Sequence, residues 1–370
     1  MVTRRSFVQL GGLTAAGSLL GEVALLGEAR ANTERKSDIV WLDSNENPAG
    51  PPPAAIDAMV RGAADTGRYH FEEFDAFSRA IAESEKVTPQ QVLFGVGSSD
   101  IITAAICAFA STTRPMITAA PTYDIIVALA RKLGRPVIEI PLTQQWAFPV
   151  KQLAQEAEKA GGGLIYLCNP NNPTASLTPP EDLRWLATNL PPNTVLLVDE
   201  AYLEFTEPGA IESAIRYVRD GKSVVVARTF SKIYGMAGIR AGFGCARPDL
   251  LAAMNDFMDN VIPILGLRAA AAALGEKVTL IPARRKTNAR IRGELCQWLR
   301  DSGIRYIEPH TNFVMIDVGR EVGPFSAAML RQGVAVGRPF PPLNNMLRVT
   351  IGTDENMQRF RQAFRQVHGA

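Results

Sequence analysis

The chain has 370 residues, of which 46% are hydrophobic and 21% charged, and its formal net charge is +2. So long and apolar a chain buries a large core, divided between two domains, and its near-neutral balance leaves no electrostatic footprint for nucleic acid. Beyond the N-terminal segment no uncharged apolar run of about eighteen residues occurs, which excludes a multi-span membrane protein. The four cysteines (Cys107, Cys168, Cys245, Cys296) are too widely scattered for a disulfide framework and read as core thiols. His70, His310 and His368 are equally dispersed, so a histidine-rich metal site is disfavoured.

Residues 1–31 read as an export signal. Thr3-Arg4-Arg5-Ser6-Phe7-Val8 is a basic start with paired arginines of the twin-arginine kind, residues 10–26 are rich in glycine, alanine and leucine, and Ala29-Arg30-Ala31 is a small-x-small cleavage pattern. Glu22 and Glu28 interrupt the apolar stretch, and an ordinary N-terminal helix is the alternative. Export places the protein in the periplasm or beyond; without it the protein is cytoplasmic.

Residues 32–70 are expected to form an N-terminal arm and part of a small domain. Val40-Trp41-Leu42-Asp43 is extended, and Asn47-Pro48 with Pro51-Pro52-Pro53 forbids helix before the segment 54–64. Arg68-Tyr69-His70 is a loop, followed by an amphipathic helix over 75–85. From Val92 a strand–turn–helix pattern repeats, the signature of a parallel α/β sheet. Val92-Leu93-Phe94 leads into Gly95-Val96-Gly97-Ser98-Ser99-Asp100 and an apolar helix. Gly97, Ser98 and Ser99 offer amides and hydroxyls at a helix N-terminus, where an anion is favoured, although a plainly capped helix explains them equally well. Asp100 stands where a dinucleotide fingerprint requires its third glycine, which disfavours a nicotinamide enzyme.

Strands are expected at 116–120 and 136–140. Tyr123, after Pro121-Thr122, can lie over a planar ligand, though alone such a tyrosine is more often core or rim. The run 163–168 ends in Asn169-Pro170-Asn171-Asn172-Pro173-Thr174, a loop at a strand's carboxyl end, where open α/β sheets bind ligands. Val195 to Val198 delivers Asp199-Glu200-Ala201-Tyr202, and a buried carboxylate there needs a partner. The apolar run 223–227 delivers Thr229-Phe230-Ser231-Lys232, with Arg240 beyond. Desolvation and a neighbouring cation bring such a lysine toward its neutral, nucleophilic form, while Ser231 and Arg240 suit a phosphate. A cluster of this kind is, on its own, more often a solvated loop. Residues 71–265 read as a large domain with a mostly parallel central sheet between helices, and 266–370 as a smaller α+β domain.

In their order and spacing these motifs resemble the fold type I, class I/II pyridoxal-phosphate-dependent aminotransferases, in the histidinol-phosphate aminotransferase branch. The resemblance covers nearly all of the chain after Asp38. It implies pyridoxal 5'-phosphate, held covalently by Lys232, with Asp199 on the ring nitrogen and Asn172 and Tyr202 on the phenolic oxygen. Tyr123 would stack on the ring, and Gly97, Ser98, Ser99, Ser231 and Arg240 would bind the phosphate. It further implies a homodimer in which Tyr69 reaches the partner's cofactor phosphate, a small-molecule amino donor, and a 2-oxo acid acceptor such as 2-oxoglutarate. Substrate would be bound by Arg348, Arg338 and Asn47, the last on the arm.

The sequence also departs from the family. Ala175 stands where glycine usually follows the asparagine loop, a change without cost only if φ is negative there. Arg338 falls one residue later than the usual distal-anion arginine, which argues against histidinol phosphate itself as substrate. A threonine-phosphate-type decarboxylase shares the scaffold and differs in which bond at Cα is aligned for cleavage. A non-catalytic ligand-binding protein on the same scaffold is a third reading, disfavoured by the joint presence of Lys232, Asp199, Tyr202 and Arg240.

Overall fold

The computed structural model describes residues 38–258 and 261–369, and the elements below all belong to one unit, Val40–Ala370. The export reading of residues 1–31 lies outside the described residues. In chain order, β1 (Val40–Leu42) precedes α1 (Pro53–Gly62), α2 (Phe71–Glu85) and β2 (Val92–Gly95). Then follow α3 (Ser98–Phe109), β3 (Met116–Ala120), α4 (Asp124–Lys132), β4 (Val137–Pro141), α5 (Val150–Lys159), β5 (Gly163–Cys168), α6 (Pro180–Thr188) and β6 (Thr194–Asp199). The large sheet is completed across α7 (Ile215–Arg219) by β7 (Val224–Thr229) and β8 (Gly242–Cys245). Helices α8 (Pro248–Asn255), α9 (Ile264–Gly275) and α10 (Lys277–Asp301) lead to β9 (Tyr306–Ile307) and β10 (Phe313–Asp317). The chain ends with α11 (Val322–Arg331), β11 (Val334–Val336), β12 (Met346–Thr350) and α12 (Asp354–His368).

Seven strands form the large sheet in the order β2-β8-β7-β6-β5-β3-β4. The run from β7 to β4 is parallel, and β8 alone is antiparallel to both its neighbours. Helices cover a parallel sheet on both faces, so its central strands read as unbroken apolar runs. Gly163–Cys168, Thr194–Asp199 and Val224–Thr229 are buried at every position. A second sheet, β12-β10-β9, is antiparallel, and β1 pairs in parallel with β11. This is the α/β architecture expected from the sequence: a large, mostly parallel sheet between helices and a smaller sheet domain.

Two large hydrophobic cores follow from this, beside a small cluster of Ile307, Met315 and Met346. One gathers residues from Ala55 to Leu274 with Phe313; the other joins Val40 and Leu42 to residues from Ile291 to Phe364. Helix α10, 25 residues and so about 38 Å long, packs Leu280 and Ile281 on the first core and Ile291, Leu295 and Leu299 into the second. The change of core therefore falls within α10. The sequence division at 265/266 marks instead the start of α9, whose Leu267, Ala270 and Leu274 lie in the first core. All four cysteines are free thiols.

Candidate active site

Strands β5, β6 and β7 run in parallel and deliver three loops, 169–174, 199–202 and 229–232, to one edge of the sheet. The N-terminus of α3 faces the same space, and β12 with the segment after β11 closes it from the second core. The cavity so formed has a volume of about 290 Å³ and is lined by Ser98, Ser99, Tyr123, Asn172, Asp199, Tyr202, Ser231, Lys232, Arg240, Arg338 and Arg348, among others.

Lys232 is half-buried, and its Nζ donates to the Ser44 and Asn45 carbonyls at 3.3 and 3.2 Å. Burial, and next the positive charge of Arg348, pull its pKa down to about 8. Asp199 closes β6. Its Oδ2 accepts from the Tyr166 hydroxyl at 2.9 Å and its Oδ1 from the Ala201 amide at 3.1 Å. These are donors and not cations, so burial prevails and its pKa is pushed up to about 6. The cavity thus holds an amine made easier to deprotonate and a carboxylate that lacks a strong counter-charge.

At the opposite end, Gly97 (φ +88) precedes α3, and a Cβ there would run into the Arg240 guanidinium. Glycine therefore lets Arg240 approach the first turn of a twelve-residue helix. Arg240 Nη1 donates to Ser231 Oγ at 3.3 Å and to the Ala237 carbonyl at 2.9 Å, and Nη2 to the Val96 carbonyl at 3.2 Å. Helix amides, the three serines Ser98, Ser99 and Ser231, and a guanidinium around one corner make an anion site.

Arg348, on β12, is buried. Its Nη1 donates to Asn172 Oδ1 at 2.7 Å and its Nη2 to the Asp43 carbonyl at 2.8 Å, while Nε has no partner. Burial pulls its pKa down to about 10. An arginine held by neutral acceptors, with a donor left over, is suited to a carboxylate.

Residues 37–364 match the family of class I and II aminotransferases. The chain belongs to that family. A histidinol-phosphate aminotransferase of Symbiobacterium thermophilum is 34% identical over 336 residues, 90% of this chain and 91% of its own. Histidinol-phosphate aminotransferase 2 of Ralstonia nicotianae is also 34% identical, over 86% of this chain and 85% of its own. The crystal structure of histidinol-phosphate aminotransferase from Sinorhizobium meliloti in complex with pyridoxal-5'-phosphate matches with a TM-score of 0.81 at 26% identity, covering 90% of this chain and 92% of that one.

This aminotransferase is accordingly a pyridoxal-phosphate-dependent enzyme, and the donor set of its cavity fits that cofactor. The under-compensated Asp199 suits a protonated ring nitrogen, the Lys232 amine an aldehyde, and the Ser98–Ser99–Ser231–Arg240 corner a phosphate. Of the three loop asparagines only Asn172 lines the cavity. Asn169 bonds Thr178, and Asn171 bonds Thr122, Pro121 and Thr174, so both hold the loop itself.

Two expected residues lie elsewhere in this chain. Asn47 turns its amide to the Ile233 carbonyl at 3.0 Å and lines a separate cleft with Phe205 and α10, so the side chain is an anchor for the arm and not part of this cavity. Tyr69 is 69% exposed and stacks on Phe71. Asn45 takes the arm's place in the site: it adopts φ 55, a conformation asparagine tolerates, and its Nδ2 donates to the Tyr202 hydroxyl at 3.0 Å. Tyr166, Asp124 and Phe340 were also not singled out from the sequence. Each sits on or beside an element whose apolar pattern explained it, and only three-dimensional proximity to Asp199, Arg338 and Arg348 gives them a role.

Proposed function

We propose that this enzyme transfers the amino group of an amino acid or an amino-alcohol phosphate, the donor class suggested by its relatives' names, to a 2-oxo acid, with 2-oxoglutarate as acceptor. The observation that carries the reading is the sharing of one cavity by the Lys232 amine and the Asp199 carboxylate, with the Arg348 guanidinium alongside. Pyridoxal phosphate, when bound, supplies an aldehyde that condenses with amines and a ring that spreads carbanion charge. Lys232 would hold it covalently, and its Nζ would serve as the group that moves the substrate's α-proton. Asp199 would keep the ring nitrogen protonated. Asn172 and Tyr202 would bond the phenolic oxygen, Tyr123 would pack on the ring, and Ser98, Ser99, Ser231 and Arg240 would hold the phosphate. Arg348 binds the substrate's carboxylate.

The working unit in this reading is a homodimer, with Tyr69 reaching the partner's cofactor phosphate. For residues 1–31 the proposal is export by the twin-arginine route with cleavage after Ala31; an intact Met1 on the mature native protein rejects cleavage.

The activity is tested by supplying cofactor-loaded protein with a panel of amino donors and 2-oxoglutarate, and measuring oxo product and glutamate. Lys232→Ala is expected to abolish turnover while its unfolding midpoint stays close to that of the wild type. Sustained turnover by that variant rejects the assignment, and carbon dioxide release without an oxo product turns it toward the decarboxylase.

A further inference from the structure

The outer part of the cavity carries a second guanidinium, Arg338, just past β11. It is not free. Its Nη2 lies 2.7 and 2.5 Å from the two carboxylate oxygens of Asp124, the first residue of α4. The guanidinium lies 4.3 Å from the Phe340 ring centroid, and that of Arg348 lies 4.5 Å from the same ring. Ile125 follows Asp124 along the cavity wall. Four cations line the cavity, Lys232, Arg240, Arg338 and Arg348, against two acids, Asp124 and Asp199. In the transaminase reading, on which this inference rests, Lys232 and Arg240 serve the cofactor and Arg348 takes the substrate carboxylate. Among the described residues, the cavity cation left for a second anion at the substrate's far end is Arg338, and a carboxylate of the chain already occupies it.

We infer that Asp124 is a specificity-determining residue: by occupying Arg338 it disfavours substrates with a distal phosphate or carboxylate and leaves the outer cavity to neutral, apolar side chains against Ile125 and Phe340. This is discrimination by an internal competitor, a repulsive element as much as an attractive one. The pair is 40% and 47% exposed, and exposed ion pairs are weak. A distal anion can therefore displace Asp124 at a modest penalty. Donors and acceptors with such a group are admitted, less well than their neutral analogues would predict from contact area alone.

The test uses cofactor-loaded enzyme and two unreactive acids of equal chain length, glutarate and pentanoate, which differ only in the distal carboxylate. Calorimetry of the wild type and Asp124→Asn is expected to raise the ratio of glutarate to pentanoate affinity about fivefold in the variant, the scale of one exposed ion pair. The ratio of kcat/KM for glutamate over norvaline should move in the same direction. With Arg338→Met already in place, the same Asp124→Asn change should move neither ratio. An unchanged ratio in Asp124→Asn, no detectable glutarate binding by it, or an equal rise with and without Arg338 overturns the inference. If wild-type enzyme forms no oxo acid from either donor, the transaminase reading fails, and the affinity ratio still decides the role of Asp124 separately.

Discussion

Burial moves the titration of Lys232, Arg348 and Asp199, and Asp199 offers the cleanest measurement. Its carboxyl titrates near 3.8 when unperturbed and is pushed up to about 6 by burial. The native state therefore holds this proton more tightly than the unfolded chain. The resulting contribution to stability is present below about pH 4 and lost as pH rises through about 6. In cofactor-free protein, the wild type is expected to lose up to ~3 kcal/mol between pH 4 and pH 7 relative to Asp199→Asn, an upper figure from about 1.4 kcal/mol per pKa unit. Urea titrations of both proteins across that range check it; a constant difference would mean the carboxylate has a counter-charge or is solvated. Ala175 supplies a second residue-scale test. It is fully buried with φ 61, in the left-handed region, so the replacement of the family's glycine carries a cost there. Relief of about 1–2 kcal/mol of strain, less the greater chain entropy of glycine, about 0.5–1 kcal/mol, predicts that Ala175→Gly gains roughly 0.5–1 kcal/mol. A lower urea midpoint in that variant would show that the lost methyl packs better than the backbone is strained.

At the scale of elements, the strands that carry the site are held from behind by a buried ionic cluster. Arg228 lies on β7, one residue before its end. It forms ion pairs with Glu200 at 2.8 Å, with Glu204, and at 3.7 Å with Glu85 of α2. Glu200 also accepts from Ser213 Oγ and the Ala214 amide. Burial alone would lower the Arg228 pKa, but Glu204, Glu200 and Glu85 together outweigh it and keep the guanidinium charged. Since Glu200 follows Asp199 and Arg228 precedes the 229–232 loop, this cluster fixes the spacing of the two groups that define the cavity. Arg228→Met leaves Glu200 and Glu204 without a counter-charge in a dry place, while Glu85 keeps Lys277, and should destabilise by about 3–5 kcal/mol, read as the fall in urea midpoint. A loss below about 1 kcal/mol would show that water already reaches them. None of this was legible in the sequence, and the reason is physical. Periodicity reports which face of a strand is buried, so β5, β6 and β7 and the loops they deliver could be read from their apolar runs. Pairings such as Arg228 with Glu85, or Arg338 with Asp124, join residues that only the assembled sheet brings together. Asn47 was misjudged for the same reason: the sequence identifies the proline-rich arm, but which of its asparagines faces inward depends on the φ of Asn45.

At the scale of the whole molecule, several large apolar side chains stand exposed. Ile56 and Val60 on α1 are 45% and 71% exposed, and Tyr69 and Phe71 before and at the start of α2 are 69% and 61% exposed. The last two stack with ring centroids 5.3 Å apart, so the aromatic pair is ordered on the exterior without a cover from its own chain. Large apolar side chains left exposed are candidates for an association surface, which suits the proposed homodimer and a tyrosine that serves the partner's cofactor. Two substitutions separate the two parts of that proposal. Val60→Asp introduces an unpaired charge into the contact and is expected to give a monomer in sedimentation at micromolar concentration. Tyr69→Phe keeps the ring and its stacking and removes only the hydroxyl. It should remain a dimer yet bind pyridoxal phosphate about tenfold more weakly, the worth of one hydrogen bond to a charged group at the lower end of its range. Unchanged cofactor affinity in Tyr69→Phe would mean that the tyrosine contributes packing alone. A dimer that survives Val60→Asp would move the contact away from α1, and the cofactor affinity of Tyr69→Phe would then have to be explained within one chain.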